Sequence, residues 1–558
     1  MADLNSNLTD EELVASVQRA DKAGNNILNY VVGSGDETTA VQAWLDSGNN
    51  LVGADIEVSV SSSLIKDITS NFSIEGKGLR LTSIAGAIQN NGLLALTITS
   101  NIDRFTVSDL VVDCTNTFAE GLKLRSDAGT IGADVVKVQG NKCSNIISDS
   151  QTVFAVGITI DMRSETLDVS GNIIDSVTRL QTNPGTIASR GLYLSRIDNG
   201  VVNIYNNKIS NILSIESSKT DADGMAIYST SKNTIPAVHQ NVAINVYGNK
   251  LDQCEGRFIK LQTSNAVVYS NKMKNENNEI NTNLIGIDFQ WGGGIAYDNN
   301  FIIDNITGAT GHCLAVNFAI AASSEHEGAL ECTYLAHDNT MTVNVPWYAF
   351  AGGSGGDGVN VTYSLHNNLI HNLEDTYAQL GFFARFSFSV TDGGLLWDMQ
   401  DNTFQLGHGD QMALFYTSTD SIQDEAWMTT NGHRQHFKFK NNSNIPQYYQ
   451  DTSYCSTYLY RNIIPHFKNF EFSNNNVDEG DNKIAGFNIN TWISNNSNFY
   501  YTDDGATGGI INAPAGYEQN VYIEAIGRTR RLTKLDGSGM VMRTWNTGSW
   551  TEYTGITI

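Results

Sequence analysis

Three acidic residues occupy related positions in a repeated pattern, and they are the first candidates for chemistry. Asp223 and Glu255 each directly precede a glycine that opens an alternating apolar segment, and Asp288 follows the next such glycine by two residues. If the repeats stack as parallel strands about 4.8 Å apart, Asp223 and Glu255 become solvent-facing neighbours on adjacent turns. Two carboxyl groups placed in this way suit glycoside hydrolysis, with one as acid and the other as base or nucleophile. We therefore predict Asp223, Glu255 and Asp288 as catalytic residues.

The outward positions of the same segments carry cations, amides and aromatic rings. Aromatic side chains offer flat apolar surfaces to a sugar ring, and cations beside a carboxylate favour its ionised form. The alternation also places Phe258 on this outer face. The predicted substrate-binding residues are Arg190, Tyr193, Tyr228, Lys260, Gln290 and Trp291.

Two other interpretations of these residues remain open. A lyase would cleave by β-elimination, with a base such as Lys260, an arginine such as Arg257 to neutralise a uronate, and Tyr228. A non-catalytic glycan-binding protein would need the aromatic and charged residues without the acid pair. Two further acid sets compete with the first, namely Glu325, Glu327 and Glu331, and Asp410, Asp424 and Glu425. The sequence contains no HExxH, no GxSxG and no phosphate-binding loop, and we predict neither a metal nor a cofactor.

Two interleaved patterns between about residues 120 and 300 indicate the elements that position these side chains. The first is a glycine followed by alternating apolar residues, such as GLYL at residues 191–194, which recurs at intervals of 30 to 36 residues. A fixed period of this length with short period-2 segments indicates a solenoid. The second is an asparagine between apolar residues, which recurs once per repeat at Asn141, Asn172, Asn207, Asn249, Asn271 and Asn299.

The apolar segments are too short for a helical face, so each repeat predicts two or three strands that pair in parallel with the next repeat. The predicted fold class is all-β, a right-handed parallel β-helix solenoid with a short N-terminal helical segment and a C-terminal antiparallel β domain. We expect each asparagine to occupy the bend itself, since asparagine tolerates the left-handed conformation. Its side-chain amide is expected to bond along the stack as a ladder.

Three regions follow from this pattern. Residues 1–34 contain a capping box at Thr9 and Glu12 and are predicted to form an N-terminal helical anchor. Residues 35–480 are predicted to form the β-helix, opened by an amphipathic cap helix over residues 37–47 that covers its apolar end. The repeat then stops, and residues 481–558 alternate as antiparallel hairpins with DG and TG turns. We expect this last region to trimerise or to bind carbohydrate.

Composition excludes several classes of protein. A formal net charge of −25 over 558 residues opposes phosphate binding, so we expect no nucleic-acid partner. The six cysteines are scattered without a metal spacing, and Cys143 falls on an inward apolar position, which predicts a buried free thiol. No signal peptide and no apolar run of membrane length are apparent. The sequence therefore predicts synthesis in a reducing cytoplasm, without a membrane partner.

The start of the solenoid resembles that of a known family. The pattern Gly-Asp-x-Thr-x-Ala-x-Gln-x-x-Leu at residues 35–45 and the segment FSIEGKGLRL at residues 72–81 resemble the entry of bacteriophage tailspike and capsule or O-antigen depolymerase proteins, which are pectate-lyase-like β-helices. The segment RTWNTGSWTEY at residues 543–553 resembles the C-terminal tips of phage tail fibres.

This resemblance implies a homotrimer in the virion tail that binds and cleaves a bacterial surface polysaccharide. It also implies that the N-terminal segment attaches the protein to another phage tail protein. In such a family, active sites can lie within one subunit or between subunits.

Overall fold

The computed structural model consists mainly of short β-strands, with a 3-10 turn at Ile27–Asn29 and one helix, α1 (Thr38–Asp46), in its described residues. None of the helical segments in these residues has the length and apolarity that a membrane span requires. The chain divides into two compact units, Met1–Thr230 with Val238–Lys260, and Ser231–Ala237 with Leu261–Ile558. The structure describes residues 25–32, 35–150, 152–180, 188–196, 200–214, 222–228, 242–263, 266–276, 284–290, 293–303, 313–318, 331–343, 347–353, 360–372, 380–387, 395–405, 411–417, 435–443, 469–473, 496–501, 521–526, 529–534, 540–544 and 551–553.

The predicted anchor helix of residues 1–34 lies for the most part outside the described residues.

In the described residues, the first unit contains 21 strands, and the last of them ends two residues after the boundary of the unit. They are β1 (Asn50–Val52), β2 (Glu57–Val60), β3 (Leu64–Ile68), β4 (Phe72–Glu75), β5 (Arg80–Ser83), β6 (Gln89–Ile98), β7 (Ile102–Ser108), β8 (Val111–Asp113), β9 (Phe118–Ser126), β10 (Gly132–Gln139), β11 (Lys142–Ser148), β12 (Ala155–Asp161), β13 (Arg163–Ser170), β14 (Ile173–Arg179), β15 (Ser189–Ser195), β16 (Gly200–Tyr205), β17 (Lys208–Ser214), β18 (Ala222–Tyr228), β19 (Val242–Tyr247), β20 (Lys250–Cys254) and β21 (Arg257–Gln262).

Every third strand of this unit joins the same sheet. Sheet A contains β1, β4, β7, β10, β13, β16 and β19, sheet B contains β2 and every third strand to β20, and sheet C contains β3 and every third strand to β21. The pairing is parallel, and equivalent residues align from turn to turn, as Val156 does with Arg190 and Arg190 with Asp223. Seven strands per sheet make seven turns of a parallel β-solenoid, which confirms the predicted fold class.

The second unit repeats the three-sheet pattern and ends in an antiparallel sheet formed by its last five strands, as predicted for the C-terminal region. Its strands are β22 (Ala266–Tyr269), β23 (Lys272–Asn275), β24 (Ile285–Phe289), β25 (Gly294–Tyr297), β26 (Asn300–Ile303), β27 (Cys313–Phe318), β28 (Glu331–His337), β29 (Thr340–Val343), β30 (Trp347–Gly353), β31 (Asn360–His366), β32 (Leu369–Asn372), β33 (Leu380–Ser387), β34 (Leu395–Gln400), β35 (Thr403–Gln405), β36 (Gln411–Thr417), β37 (Gln435–Lys440), β38 (Asn469–Ser473), β39 (Asn496–Tyr501), β40 (Val521–Ile526), β41 (Thr529–Lys534), β42 (Met540–Thr544) and β43 (Thr551–Tyr553).

The core follows the period of two that the sequence shows. In β16, Val202 and Ile204 are buried, while the residues between and after them are half-buried on the outer face. Cys114, Cys143 and Cys254 are buried in the same core and form no disulfide bond. Burial raises the pKa of the Cys143 thiol to about 12, so the thiol stays protonated and unreactive at neutral pH.

The asparagines form the expected ladder, but they do not occupy the bend itself. In the first unit each Nδ2 donates to the Oδ1 of the next asparagine along the series Asn141, Asn172, Asn207 and Asn249, at 3.1, 2.9 and 3.0 Å. A second series in the other unit runs through Asn271, Asn299, Asn339, Asn368, Asn402 and Asn442.

The left-handed conformation belongs to the residue before each asparagine. Gly140, Gly171, Asn206 and Gly248 have φ values of 67°, 63°, 55° and 64°. The prediction that the ladder asparagine makes the bend is therefore wrong by one position. The reason is that the bend turns the following side chain inward, where its amide must bond to the next turn.

The first turn is covered by the segment before it. Asn26 bridges to Val52 on sheet A and Asp36 to Ser59 on sheet B. Helix α1 lies within the predicted range 37–47, and its Gln42 side chain bonds both the N–H and the carbonyl group of Ile65 on sheet C. The segment thus occupies the open edges of all three sheets, which protects them from pairing with another chain.

Candidate functional site

Glycines on sheet C bring this sheet close to sheet B, and the residues that precede them point to the opposite, outer face. A Cβ atom at Gly191 would lie 2.5 Å from Cγ2 of Ile209 on sheet B and 2.6 Å from the carbonyl oxygen of Gly224 on the next turn. Only glycine permits so close an approach of the two backbones. Arg190 and Asp223, the residues before these glycines, pair directly across β15 and β18, as the sequence predicted.

Arg190 lies among three aromatic rings on the outer face of sheet C. Its guanidinium carbon is 4.3 Å from the ring centroid of Phe154, 4.5 Å from that of Tyr193 and 5.0 Å from that of Tyr228. Its Nη2 donates a hydrogen bond of 3.1 Å to the Tyr228 hydroxyl group. Arg190 is 6% exposed, whereas Tyr193 and Tyr228 are half-buried, so the tyrosines form the accessible rim of the cluster.

Asp223 is the acid at the centre of this face, and guanidinium groups surround its carboxylate. Its Oδ1 accepts a hydrogen bond of 2.7 Å from Arg257 Nε. Its Oδ2 lies 3.9 Å from Arg190 Nε, and neither of these two atoms has a hydrogen-bond partner. Asp223 is 0% exposed, so the prediction that it faces solvent is wrong. A carboxylate buried to this degree requires the cations that lie beside it.

The neighbour of Asp223 on the next turn is not Glu255, which the sequence predicted. The prediction aligned Gly224 with Gly256, but a Cβ atom at Gly224 would lie 2.7 Å from the carbonyl oxygen of Phe258. Phe258 is therefore the partner of Gly224, and it is buried in the core rather than placed on the outer face. Because its ring fills the core, this turn needs no strand glycine. The sequence pattern had instead matched Gly256, a glycine in the bend before β21.

Glu255 therefore lies at a different position and has a different role. It follows β20 on sheet B, and its Oε2 accepts a hydrogen bond of 2.7 Å from the backbone N–H of Ser214 on the preceding turn. The contact caps the end of β17. The prediction that Asp223 and Glu255 stack at one shared position before a strand glycine is therefore wrong, because the repeat containing Glu255 is out of step with the one before it.

Tyr228 lies between two cationic side chains. Lys260 Nζ is 5.5 Å from the centroid of its ring, and Arg190 approaches the same ring from the preceding turn. The residue opposite Tyr193 on β18 is Ala226, so only a methyl group occupies the outer face at that point. Lys260 is 7% exposed. Among the described residues, the reactive or charged groups gathered here are the Tyr228 hydroxyl, the Lys260 amine, the Asp223 carboxylate and the guanidinium groups of Arg190 and Arg257.

The sequence did not identify Phe154 as a member of the cluster, and it suggested Arg257 only for one alternative. Phe154 immediately precedes β12 and lies outside the alternating pattern, so no periodic signal identified it. Arg257 was considered only for the lyase alternative, since the misplaced glycine alignment hid its pairing with Asp223.

On an earlier turn, Glu120 accepts a hydrogen bond of 2.7 Å from the Thr159 hydroxyl group and forms an ion pair with Lys123.

The remaining predicted residues belong to the second unit. Asp288 is 1% exposed, and its Oδ2 accepts a hydrogen bond of 2.7 Å from Gln290 Nε2. Gln290 Oε1 accepts a hydrogen bond of 2.6 Å from Gln262 Nε2. Glu331 begins β28, and its side chain is not described. Outside the described residues lie Trp291 and the competing acids Glu325, Glu327, Asp410, Asp424 and Glu425.

Neither a metal nor a cysteine nucleophile is indicated at the cluster. In the described part of the chain, no three His, Cys, Asp or Glu side chains come together as a metal site requires. Burial raises the pKa of the Cys254 thiol well above its ordinary value, and the charges of Asp223, Asp252 and Glu255 raise it further. A thiol held in its protonated form is a poor nucleophile.

Comparisons with known proteins give distant structural similarities. No protein-family model and no curated protein matches the chain. The similar solved structures include the Dettilon tailspike protein, with 11% sequence identity, a TM-score of 0.38 and coverage of 97% of this chain and 81% of that chain.

Two other similar structures are of different kinds. PfbA, a surface adhesin of Streptococcus pneumoniae, is 12% identical with a TM-score of 0.36, over 70% of this chain and 94% of that chain. The catalytic unit of a GH87 alpha-1,3-glucanase from Streptomyces thermodiastaticus is 13% identical with a TM-score of 0.31, over 77% and 70%. A tailspike is thus among the similar structures, as the sequence resemblance led us to expect. Similarity at this distance assigns no activity to the chain.

Proposed function

We propose that the protein binds a bacterial surface polysaccharide on the outer face of sheet C and cleaves it there. The observation that carries this proposal is the guanidinium group of Arg190 held between three aromatic rings, of which Tyr193 and Tyr228 remain partly exposed. Exposed aromatic faces suit the apolar faces of sugar rings, and a fixed arginine supplies directional hydrogen-bond donors. Strands β15 and β18 of the solenoid carry these side chains.

The contacts of the two predicted acids favour β-elimination over hydrolysis. Hydrolysis by paired carboxyl groups requires both to face one glycosidic bond. Asp223 instead accepts a hydrogen bond from Arg257, and Glu255 accepts one from the backbone of Ser214. One oxygen of each carboxylate is therefore held by a partner within the chain, and the two partners lie on different sheets, so the carboxyl groups do not form the facing pair that hydrolysis requires.

β-Elimination uses different groups, and three of them lie in this cluster. A base removes the proton on the carbon beside a uronate carboxylate, the bond to the leaving oxygen breaks as a ring double bond forms, and an acid protonates that oxygen. In this proposal Lys260 is the base, Tyr228 is the acid, and Arg257 neutralises the uronate. The Lys260 amine lies against the Tyr228 ring, which supports a shared reaction centre.

Product analysis tests this proposal. The purified protein is incubated with a panel of bacterial capsule and O-antigen polysaccharides, and its products are examined for near-ultraviolet absorbance and new reducing ends. Unsaturated sugars that absorb in the near ultraviolet are the expected result. Reducing ends without that absorbance would indicate hydrolysis, with Asp223, Glu255 and Asp288 to be tested next, and binding without cleavage would indicate a glycan-binding protein.

Matched variants then locate the site. Lys260→Met and Tyr228→Phe each remove one reacting group and are expected to lower turnover about a hundredfold or more, which is the scale of lost general acid or base catalysis. Tyr205→Phe is the control, because Tyr205 stacks on Tyr247 at 5.0 Å on sheet A, away from the outer face of sheet C. Equal activity of all three variants would refute the assigned site.

The proposed setting is the tail of a bacteriophage, in which the protein acts as a homotrimer. The sequence resemblance to tailspikes supports this setting, together with a C-terminal antiparallel sheet outside the solenoid pattern. Light scattering at micromolar concentration is expected to give three times the mass of one chain. Deletion of residues 1–24 is expected to leave the trimer and cleavage intact and to abolish attachment to the other tail protein.

A further inference from the structure

We propose that Arg190 binds a negatively charged substituent of the glycan, and that Asp223 is a positioning residue that orients Arg190 for this purpose. The inference rests on the proposed polysaccharide binding but not on the chemistry of cleavage. It reassigns Asp223, the residue that the sequence suggested as an acid catalyst. It also narrows the ligand class to glycans that carry a carboxylate or a comparable anionic group.

The two arginines beside Asp223 contact its carboxylate differently. Arg257 Nε donates a hydrogen bond of 2.7 Å to Oδ1, which is an optimal charge-assisted contact. Arg190 Nε stands 3.9 Å from Oδ2, which is too far for a hydrogen bond, although the two charges still attract each other. Asp223 is therefore fixed by Arg257 and holds Arg190 more loosely. A loosely held guanidinium group retains electrostatic attraction for a second anion.

The guanidinium group of Arg190 has an unmet hydrogen-bonding capacity. Its Nε is buried without a hydrogen-bond partner, 3.9 Å from Asp223 Oδ2, and the residue as a whole is 6% exposed. Buried polar groups in folded proteins are almost always paired, and exceptions occur where a ligand completes the pairing. The only hydrogen bond of its guanidinium group to a side chain in the described part of the chain goes to Tyr228, which is on the accessible rim.

The aromatic rings impose an orientation on the guanidinium group of Arg190. Phe154, Tyr193 and Tyr228 all lie within 5.0 Å of the guanidinium carbon, so they restrict the plane of the group. They also lower the local dielectric constant, which strengthens the attraction to an anion that enters. An arginine with a fixed plane recognises the flat carboxylate group better than a flexible cation does.

The test compares an acidic glycan with its neutral counterpart. A glycan array of acidic and neutral bacterial polysaccharides first identifies what the wild-type protein binds, and the bound glycan is then carboxyl-reduced to remove its charge. We expect the bound glycans to be acidic, and carboxyl reduction to lower the affinity about tenfold to a hundredfold, the scale of a charge-assisted hydrogen bond.

Variants separate positioning from general stability. Arg190→Gln is expected to weaken binding of the acidic glycan by the same factor and to weaken binding of the reduced glycan much less. Asp223→Asn is also expected to lower the preference for the acidic over the reduced glycan. If Asp223 had only a structural role, this variant would bind both glycans more weakly by the same factor. Arg196→Gln is the matched control, because Arg196 forms its ion pair with Asp161 at 2.9 Å and does not contact the aromatic rings described here.

Each other outcome overturns a defined part of the argument. If the protein binds neutral glycans, or if Arg190→Gln weakens both ligands equally, the anion subsite is wrong while polysaccharide binding stands. If no glycan binds, the proposed function fails as well. Should Asp223→Asn fail to fold, Arg190→Gln and Arg190→Lys decide the question, since both leave the Asp223–Arg257 hydrogen bond in place.

Discussion

Two columns of buried side chains run along the first unit, and they differ in how fully the hydrogen bonds of their polar members are satisfied. In the asparagine ladder, Asn172 Nδ2 donates to Asn207 Oδ1 and to the Val138 carbonyl, each at 2.9 Å, and its Oδ1 accepts two bonds from Asn141. On the outer face of sheet C, Arg190 Nε and Asp223 Oδ2 have no such partner.

The difference arises because the ladder repeats one residue type on every turn, whereas the outer column of sheet C does not. When each turn presents the same residue at the same position, every amide finds an identical amide one turn away, and the bonds propagate along the stack. The outer column of sheet C instead changes residue type at each turn, from Glu120 through Val156 and Arg190 to Asp223. A repeated, satisfied column serves stability, and the unrepeated column with unmet capacity is the one to which we assign the proposed binding function.

The largest expected effect is on the ladder. Asn207→Ala removes the acceptor for Asn172 and the donor to Asn249 and to the Val169 carbonyl, all of them buried. The backbone N–H of Asn172 loses its acceptor as well, so four buried hydrogen bonds disappear. Each contributes about 0.5–1.5 kcal/mol, and a group left without a partner costs more, so the free energy of unfolding is expected to fall by about 3 kcal/mol or more. Urea denaturation measures this loss, and the affinity for glycan of the protein that remains folded is expected to be unchanged.

Asn203→Ala is the control for the ladder variant. Asn203 is half-buried on the outer face of sheet A, where its Nδ2 donates to Asp168 at 3.0 Å. Partly exposed side chains of this kind change stability by about 0.5 kcal/mol or less. Similar losses for both asparagines would show that the ladder has no special role in stability.

A smaller loss of stability is expected at Gly191, which lies in the core beside Arg190 on the outer face. Gly191→Ala places a Cβ atom 2.5 Å from Ile209 Cγ2 and 2.6 Å from the Gly224 carbonyl, and overpacking of this kind costs about 1–3 kcal/mol. The shift of β15 is also expected to displace Arg190 and weaken glycan binding. Calorimetry and binding titration measure the two effects on the same sample.

Gly129→Ala supplies the comparison for that variant. A Cβ atom at Gly129 meets nothing within 4 Å, so neither stability nor binding is expected to change. If Gly191→Ala lowers stability but leaves glycan affinity intact, the outer face of sheet C does not depend on the close approach of sheets B and C.

The smallest expected effect concerns a satisfied polar cluster at the surface. Asp36 accepts hydrogen bonds from the side chains of Ser61 and Thr38, which lower its pKa from 3.8 to about 2. A carboxyl group with a depressed folded-state pKa stabilises the fold above its unfolded pKa, and this contribution is lost as the pH falls from about 4 to about 2.

Asp36→Asn tests this contribution at the N-terminal cap. The variant is expected to be slightly less stable than the wild type at pH 6 and to lose less stability on acidification to pH 2. Thermal unfolding across this pH range measures both. An unchanged pH dependence would mean that the Asp36 cluster does not contribute to acid sensitivity.

The sequence by itself determined the solenoid, because its two periodic patterns report the same local requirement on every turn. The glycines mark where sheets B and C approach closely, and the asparagines mark the side chains that bond along the stack. The cap helix was also predictable, since its amphipathic spacing is local. Such features depend on short stretches of chain, and the solenoid repeats them often enough to be recognised.

Only the tertiary structure decided which side chains meet on the outer face. The repeat that contains Glu255 is out of step with the preceding one, and Phe258 takes the core position that glycine holds elsewhere. Arg257 therefore replaces Glu255 beside Asp223, and a predicted acid pair becomes an acid between two arginines. A shift of one or two residues between turns leaves the periodic pattern recognisable, but it changes every lateral contact, and those contacts determine the chemistry of the site.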